Sequence, residues 1–233
     1  MIVKHIPNSI TSLNLVSGCI SIVFALNGQY SAAALFILLA AIFDFMDGFA
    51  ARLLKAYSPI GKELDSLADI VSFGVAPGMI IFQFMKELSE ISGDPYWIAW
   101  FAFLIPVFSA LRLAKFNLDE RQTTSFLGLP TPANALFWSF GIGFTYDKIA
   151  EFPPSPWFIL PFIFIFSWLL ISEIPMFSLK FKHFRWKGNR QQYIFLIVCL
   201  LLIILLGPAG LSACILWYII LSFLSQNFVK KEK

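Results

Sequence analysis

The chain has 233 residues, 58% of them hydrophobic and 13% charged, with a net charge of +3. Ordinary globular domains carry about a quarter charged residues, so this composition excludes a soluble globular protein; so many Phe, Leu and Ile side chains belong in lipid. The positive charge sits at particular loops and is not spread over a surface, and no nucleic-acid partner is expected.

Apolar segments near the 20 residues needed to cross a bilayer recur along the whole chain. In order, the expected spans are Ile10–Leu26, Ser31–Leu53, Leu67–Met85, Tyr96–Phe116, Ala133–Tyr146, Trp157–Phe177, Tyr193–Leu206 and Leu211–Phe228. The first is read as a permanent span, because a polar break and more spans follow it and no small-residue cleavage site does. The fifth and seventh are short, so extension into their flanks or a tilt is expected. Helices satisfy their own backbone hydrogen bonds in lipid, whereas a β-barrel would show alternating polarity in short strands. The expected fold is therefore all-α: a polytopic transmembrane helical bundle of about eight spans, forming one membrane domain over residues 1–233.

Lysine and arginine orient it. With the N-terminus inside, the inside segments hold Lys4, then Arg52, Lys55 and Lys62, then Arg112, Lys115 and Arg121, then the basic loop Lys180–Arg190, and finally Lys230, Lys231 and Lys233. Only Lys86 and Lys148 of the 17 basic residues fall outside. This asymmetry predicts both termini in the cytoplasm. Cys19, Cys199 and Cys214 all lie in apolar stretches, are odd in number and form no CxxC pair, so neither a disulfide framework nor a zinc site is suggested.

Four aspartates stand where the second span ends and the third begins: Asp44, Asp47, Asp65 and Asp69. Ionisable groups in membrane segments are costly and mark functional sites by default. Asp44 and Asp47 are three apart and share a helix face; Asp65 and Asp69 are four apart and share a face of the next helix. A short loop with Pro59 and Gly61 lets the two helices lie antiparallel, so four carboxylates can converge at one end of the bundle. Such a group repels itself unless protonated or neutralised by cations. All-oxygen ligation suits Mg²⁺ or Mn²⁺, and Ca²⁺ less specifically. Two such ions can hold a pyrophosphate and stabilise its leaving charge. Gly48 and Ala51 lie on the aspartate side and leave room for a ligand, and Arg52, one turn beyond Gly48, suits phosphate oxygens. The bland alternative is a solvated helix end with ion pairs such as Asp47–Arg52 or Lys62–Asp65.

The pattern Asp44-x-x-Asp47-Gly48-x-x-Ala51-Arg52, eight residues, Gly61-x-x-x-Asp65-x-x-x-Asp69 resembles the complete signature of the CDP-alcohol phosphatidyltransferases. The resemblance implies a two-metal centre of Mg²⁺ or Mn²⁺ surrounded by Asp44, Asp47, Asp65 and Asp69, with Asp69 also the general base for the acceptor hydroxyl. It implies that Gly48, Arg52 and Ser58 contact the CDP part of a CDP-diacylglycerol donor. The opening Ile6-Pro7-Asn8-Ser9-Ile10-Thr11 resembles the family's entry to the first span, which places Asn8 at the nucleotide; helix capping is an equally good reading of Asn8 alone. By the same analogy the chain is expected to be a homodimer in the cytoplasmic (inner) membrane, surrounded by membrane lipid, with its active site facing the cytoplasm.

The signature gives reaction class and not acceptor. Asp65-Ser-Leu-Ala-Asp-Ile-Val-Ser-Phe-Gly-Val-Ala-Pro77, Leu111-Arg-Leu-Ala-Lys-Phe-Asn117 and Phe126-Leu-Gly-Leu-Pro-Thr-Pro-Ala133 resemble the bacterial branch of the family that uses L-serine. A serine pocket needs a cation for the carboxylate, and Arg112 and Lys115 are the candidates; Lys115 stands where relatives usually have Arg and lacks its planar fork. Plain positive-inside topology explains the same two residues. Gly128, Pro130 and Pro132 read as a rigid loop. Glycerol 3-phosphate or inositol phosphate are the alternative acceptors, and a transporter is the alternative class, although the acids cluster near one face and no second copy of the motif appears.

Overall fold

The computed structural model describes residues 5–118, 127–151, 153–176 and 189–229, with no account of side chains at 150 and 225–229. Among the described residues eight helical stretches follow one another: α1 Ile6–Leu26, α2 Tyr30–Leu53, α3 Pro59–Ser92, α4 Tyr96–Leu118, α5 Thr131–Glu151, α6 Pro156–Ile171, α7 Arg190–Leu206 and α8 Gly210–Val229. Among the described residues the extended backbone pairs only at one isolated bridge, Leu127 with Pro175. Among the described residues five stretches are long and apolar enough to cross a membrane: α1, α2, α3, α4 and Arg190–Leu224. The last is folded back on itself at Gly207–Ala209, since Cys214 reaches the Cys199 carbonyl across the turn. Leu200, Leu201, Ile204 and Leu205 on α7 are exposed, an apolar surface that water would not tolerate. The protein is an all-α, polytopic integral membrane protein.

Each helix boundary has a local cause. Ser58 adopts an extended conformation and its Oγ accepts the Gly61 N–H, while Pro59 occupies the first turn; this is a strong helix start. It moves the beginning of the third helix from the expected Leu67 back to Pro59, so Asp65 and Asp69 lie inside the helix and not at its mouth. Gly93, at φ +74°, closes the same helix. Its middle is a π-helical segment, Ile70–Val75, with Ala76 N–H bonded to the Val71 carbonyl five residues back. Pro77 follows directly; it lacks an N–H and crowds the carbonyl four residues earlier, which a wider turn accommodates. The short fifth expectation, Ala133–Tyr146, extends at both ends to Thr131–Glu151. The sixth helix ends at Ile171 instead of reaching Phe177. The Leu129 N–H takes the Leu169 carbonyl and the Gly128 N–H takes that of Ile174, which docks the Gly128–Pro130 loop on the helix end as a rigid plug. Phe177, Arg121, Phe126, residues 180–188 of the basic loop, Lys4, Lys230, Lys231 and Lys233 lie outside the described residues.

Contacts between helices fix their relative directions. Ser21 Oγ donates to the Ala33 carbonyl across the α1–α2 turn, so these helices are antiparallel. Asn14 meets Asp69 and its carbonyl receives Ser72 Oγ, with Asn8 beside Gly61, so α1 and α3 run parallel. Asn117 meets Ser66 while Ser109 meets Gly74, so α4 runs back against α3. The result gathers Arg52, Lys62, Arg112 and Lys115 at one end of the bundle. Lys86 and Lys148 lie at the other, beside Glu87 and Tyr146, which hydrogen bond to each other at 3.0 Å.

Small side chains make this packing close. At Gly18 on α1 an added Cβ would lie 2.4 Å from Ser72 Oγ and 2.8 Å from Ser72 Cα on the π-helical segment. The backbone of α3 cannot retreat without disturbing the turns that carry Asp65 and Asp69. Gly18→Ala should therefore destabilise the protein by about 1–3 kcal/mol, read as a lower melting temperature in detergent. The neighbouring exposed Cys19→Ala should leave it unchanged. Equal melting of the Gly18 variant and wild type would contradict this packing.

Candidate active site

The antiparallel ends of α2 and the first turns of α3 bring three of the four aspartates together. One oxygen each from Asp44, Asp47 and Asp65 lies within 4.8 Å of the others. At that separation each pair of charges repels by roughly 3–4 kcal/mol at an effective dielectric of about 20. Asp47 is buried, and Asp47 Oδ2 and Asp65 Oδ1 are sealed from solvent without a hydrogen-bond partner. The ion pairs Asp47–Arg52 and Lys62–Asp65 do not form: among the described residues the salt bridge is Lys86–Glu90, at the far end. Lys62 Nζ instead reaches the Asn117 carbonyl at 3.5 Å. Three converging carboxylates with orphaned oxygens, no cationic side chain on them and no His or Cys among them fit a hard divalent cation. These residues could hold a metal ion.

Asp69 stands apart from that trio. It lies one turn deeper along α3, where its Oδ1 accepts Asn14 Nδ2 at 3.3 Å, close enough to Asp44, Asp47 and Asp65 to interact with their charges. The sequence leads one to expect four converging carboxylates, with Asp69 one turn beyond Asp65; the structure brings together three, with Asp69 as their neighbour.

On the near side of the trio is a cavity of about 220 Å³, lined by Pro7, Asn8 and Thr11 of α1, Asp47, Gly48, Ala51 and Arg52 of α2, the loop Ala56–Ser58, and Gly61, Lys62 and Asp65 of α3. Asn8, distant in sequence, thus shares one cavity with Gly48, Arg52 and Ser58. Arg52 folds back along its helix, with Nη1 3.7 Å from the place a Gly48 Cβ would occupy. An added Cβ at Gly61 would meet Asn8 Oδ1 and Ser58 Oγ, each at 2.9 Å, so a larger residue here would displace both side chains from the cavity wall. Ser58 has a structural task as well, as the α3 cap.

On the far side, Arg112 is buried and reaches Thr131 Oγ1 at 3.4 Å, with its guanidinium 5.8 Å above the Phe116 ring. It interacts with Asp69 and with the Tyr218 phenol, and its Nε has no partner. Lys115 does not join it: exposed, it donates to the Ile171 carbonyl at the end of α6 at 3.4 Å. A cation near the last carbonyls of a helix is favourable in itself. Asn14 belongs to none of the sequence motifs above, Thr131 only to the segment 126–133, and Lys62 only to the ion pair with Asp65 that does not form. Asn14 had a usable signal, as a carboxamide in the middle of an apolar span, two turns beyond Asn8 and fully buried.

The model of the CDP-alcohol phosphatidyltransferase family matches residues 4–171. A CDP-diacylglycerol–serine O-phosphatidyltransferase of Mycobacterium leprae is 35% identical over 226 residues, covering 94% of this chain and 72% of the relative. One of Bacillus subtilis is 31% identical over 182 residues, covering 78% and 92%. An archaetidylserine synthase of Methanothermobacter thermautotrophicus is 35% identical over 133 residues, covering 56% and 54%.

The repulsion within the trio makes a prediction independent of turnover. Mg²⁺ or Mn²⁺ should raise the melting temperature of the protein in detergent, by about 2.7 kcal/mol of stabilisation at a hundred times the dissociation constant. Asp47→Asn should remove most of that shift and leave the metal-free protein no less stable than wild type. A metal-independent melting temperature in the wild type would contradict a cation site here.

Proposed function

The chain belongs to the CDP-alcohol phosphatidyltransferase family, and from that premise we propose that it transfers the phosphatidyl group of CDP-diacylglycerol to L-serine, giving phosphatidylserine and CMP. The observation that carries the reading is the convergence of Asp44, Asp47 and Asp65, at the family's spacing, beside a cavity lined by Asn8, Gly48, Arg52 and Ser58. What supports serine is the name borne by relatives that cover most of the chain, together with the buried Arg112 beyond the carboxylates.

The family is generally divalent-metal dependent. In our reading Asp44, Asp47 and Asp65, with Asp69 at their side, hold Mg²⁺ or Mn²⁺ as a two-metal centre. The ions would neutralise the pyrophosphate and its leaving charge. The donor's nucleotide head occupies the cavity, with Arg52 on its phosphate oxygens and Gly48 leaving room for them. About 220 Å³ is below the usual range for a whole drug-sized ligand, so the acyl chains remain in the bilayer. Arg112 takes the serine carboxylate, and Lys115 adds positive charge at the same end of the bundle. Asp69 takes the proton of the serine hydroxyl, whose oxygen attacks the lipid-bearing phosphorus. The bond from that phosphorus to the bridging oxygen breaks, and CMP departs with the electron pair.

The whole chain, 1–233, is read as one catalytic domain, working as a homodimer in the cytoplasmic membrane with its active site on the cytoplasmic face. The gathering of Arg52, Lys62, Arg112 and Lys115 at the active-site end supports that orientation.

Two experiments test the reading. Asp69→Asn should lower single-turnover transfer to labelled serine by about 10²–10⁴-fold, the usual worth of a general base, while CDP-diacylglycerol binding is kept. Normal turnover would assign the base elsewhere, and transfer to glycerol 3-phosphate but not to serine would overturn the acceptor. For topology, Tyr57→Cys in a background without Cys19, Cys199 and Cys214 should resist an impermeant thiol reagent on intact cells, and Glu90→Cys should react. The reverse pattern would invert the map.

A further inference from the structure

The function proposed above leaves one polar residue in the centre of the site without a task. Asn14 is fully buried on α1, between the helix that carries the carboxylates and the bundle interior. Its Nδ2 lies 3.3 Å from Asp69 Oδ1. The amide turns its nitrogen to Asp69, which as an ionised carboxylate only accepts, and its oxygen away. That oxygen, Oδ1, is sealed from solvent and has no hydrogen-bond partner. The backbone around it is fixed: the Asn14 carbonyl receives Ser72 Oγ at 3.0 Å from the π-helical segment. A rotation that would satisfy Oδ1 would abandon Asp69. An orphaned buried carbonyl costs about 1–3 kcal/mol, and a helix core that tolerates it needs a reason.

The neighbourhood supplies one. Asn14 lies one turn deeper than Thr11, the last α1 residue lining the donor cavity, and so on the side of Asp69 and Arg112. Arg112 brings an unpartnered Nε to the same region and interacts with Asp69. The unfilled groups also include Ser109 Oγ and the Asn134 amide, one turn from Arg112 and Thr131, but those of the two residues that interact with Asp69 are one donor with positive charge and one neutral acceptor beside that carboxylate. A small molecule with a hydroxyl, a carboxylate and an ammonium matches this set, one group each.

Resting on the acceptor reading given above, we infer that Asn14 is a specificity-determining residue: its Nδ2 positions Asp69 while its Oδ1 receives the ammonium of an amino-alcohol acceptor whose carboxylate lies on Arg112. Asn14 then couples recognition to chemistry, because the amide that binds the ammonium also holds the base beside the hydroxyl on the adjacent carbon.

The test compares three acceptors with CDP-diacylglycerol and purified enzyme: L-serine, 3-hydroxypropionate, which lacks the ammonium, and ethanolamine, which lacks the carboxylate. Wild type should prefer serine to both. Asn14→Ala should raise the KM for serine by roughly ten- to a hundred-fold, the worth of a hydrogen bond to a charged group, and leave that for 3-hydroxypropionate nearly unchanged. kcat should fall for both as Asp69 loses its anchor. Asn14→Asp, which keeps an oxygen for the ammonium but removes the donor facing Asp69, should retain the preference for serine and lose kcat. Arg112→Gln should erase the preference for serine over ethanolamine only. CDP-diacylglycerol binding checks that each variant is folded. An equal loss on serine and 3-hydroxypropionate in Asn14→Ala overturns the proposal, as does a raised metal requirement with selectivity intact, which would make Oδ1 a metal ligand. A wild type that does not distinguish serine from 3-hydroxypropionate overturns it without any variant. A wild type that uses glycerol 3-phosphate and not serine refutes the acceptor reading itself, a result distinct from all of these.

Discussion

Three carboxylates held within 4.8 Å of one another inside a helical membrane protein are the constraint on which the rest of the structure depends. Their mutual repulsion pushes α2 and α3 apart, and no lysine or arginine among the described residues pairs with them to relieve it. The helices are kept together by packing elsewhere. Gly61 admits Asn8 and Ser58 just below the trio, and Gly18 admits Ser72 just above it. The first helix is the splint: parallel to α3 and antiparallel to α2, it touches both on either side of the charged centre. Such a clamp makes sense if the charge is balanced by a bound cation and the site must exist before the cation arrives.

The same splint divides the site. Below the carboxylates, α1 contributes Pro7, Asn8 and Thr11 to the cavity that suits a nucleotide. Above them it contributes Asn14, which faces Asp69. On the proposed function, the acceptor hydroxyl and the departing CMP would then lie on opposite sides of the lipid-bearing phosphorus, the geometry that a direct displacement requires. The π-helical segment after Asp69 belongs to this arrangement, because it seats Ser72 on the Asn14 carbonyl while Pro77 continues the helix.

How much of this was legible in the sequence depends on what kind of interaction decided each feature. The helices and their order follow from apolar runs, and the expected alternation of direction is seen from α1 to α4. Asp44, Asp47, Asp65, Gly48 and Arg52 follow from helical spacing, and Asn8 and Ser58 from the resemblance. Helix ends were less legible where a tertiary contact sets them. The third helix begins at Pro59 because Ser58 caps it, and the sixth ends at Ile171 because the Gly128–Pro130 loop takes its carbonyls. Spacing sets Asp69 one turn beyond Asp65, but the contact that holds it there is to Asn14, 55 positions away. Spacing could not separate Arg112 from Lys115: one turn of helix apart, one is buried against Thr131 and the other drawn to a helix terminus.

The central claim is that the carboxylate trio is a cation site inside the membrane bundle. Anomalous diffraction from crystals grown with Mn²⁺ tests it most directly. The account predicts manganese peaks within direct ligation distance, about 2 Å, of oxygens of Asp44, Asp47 and Asp65. Manganese bound only elsewhere, or an ordered trio without a peak at saturating Mn²⁺, would contradict it.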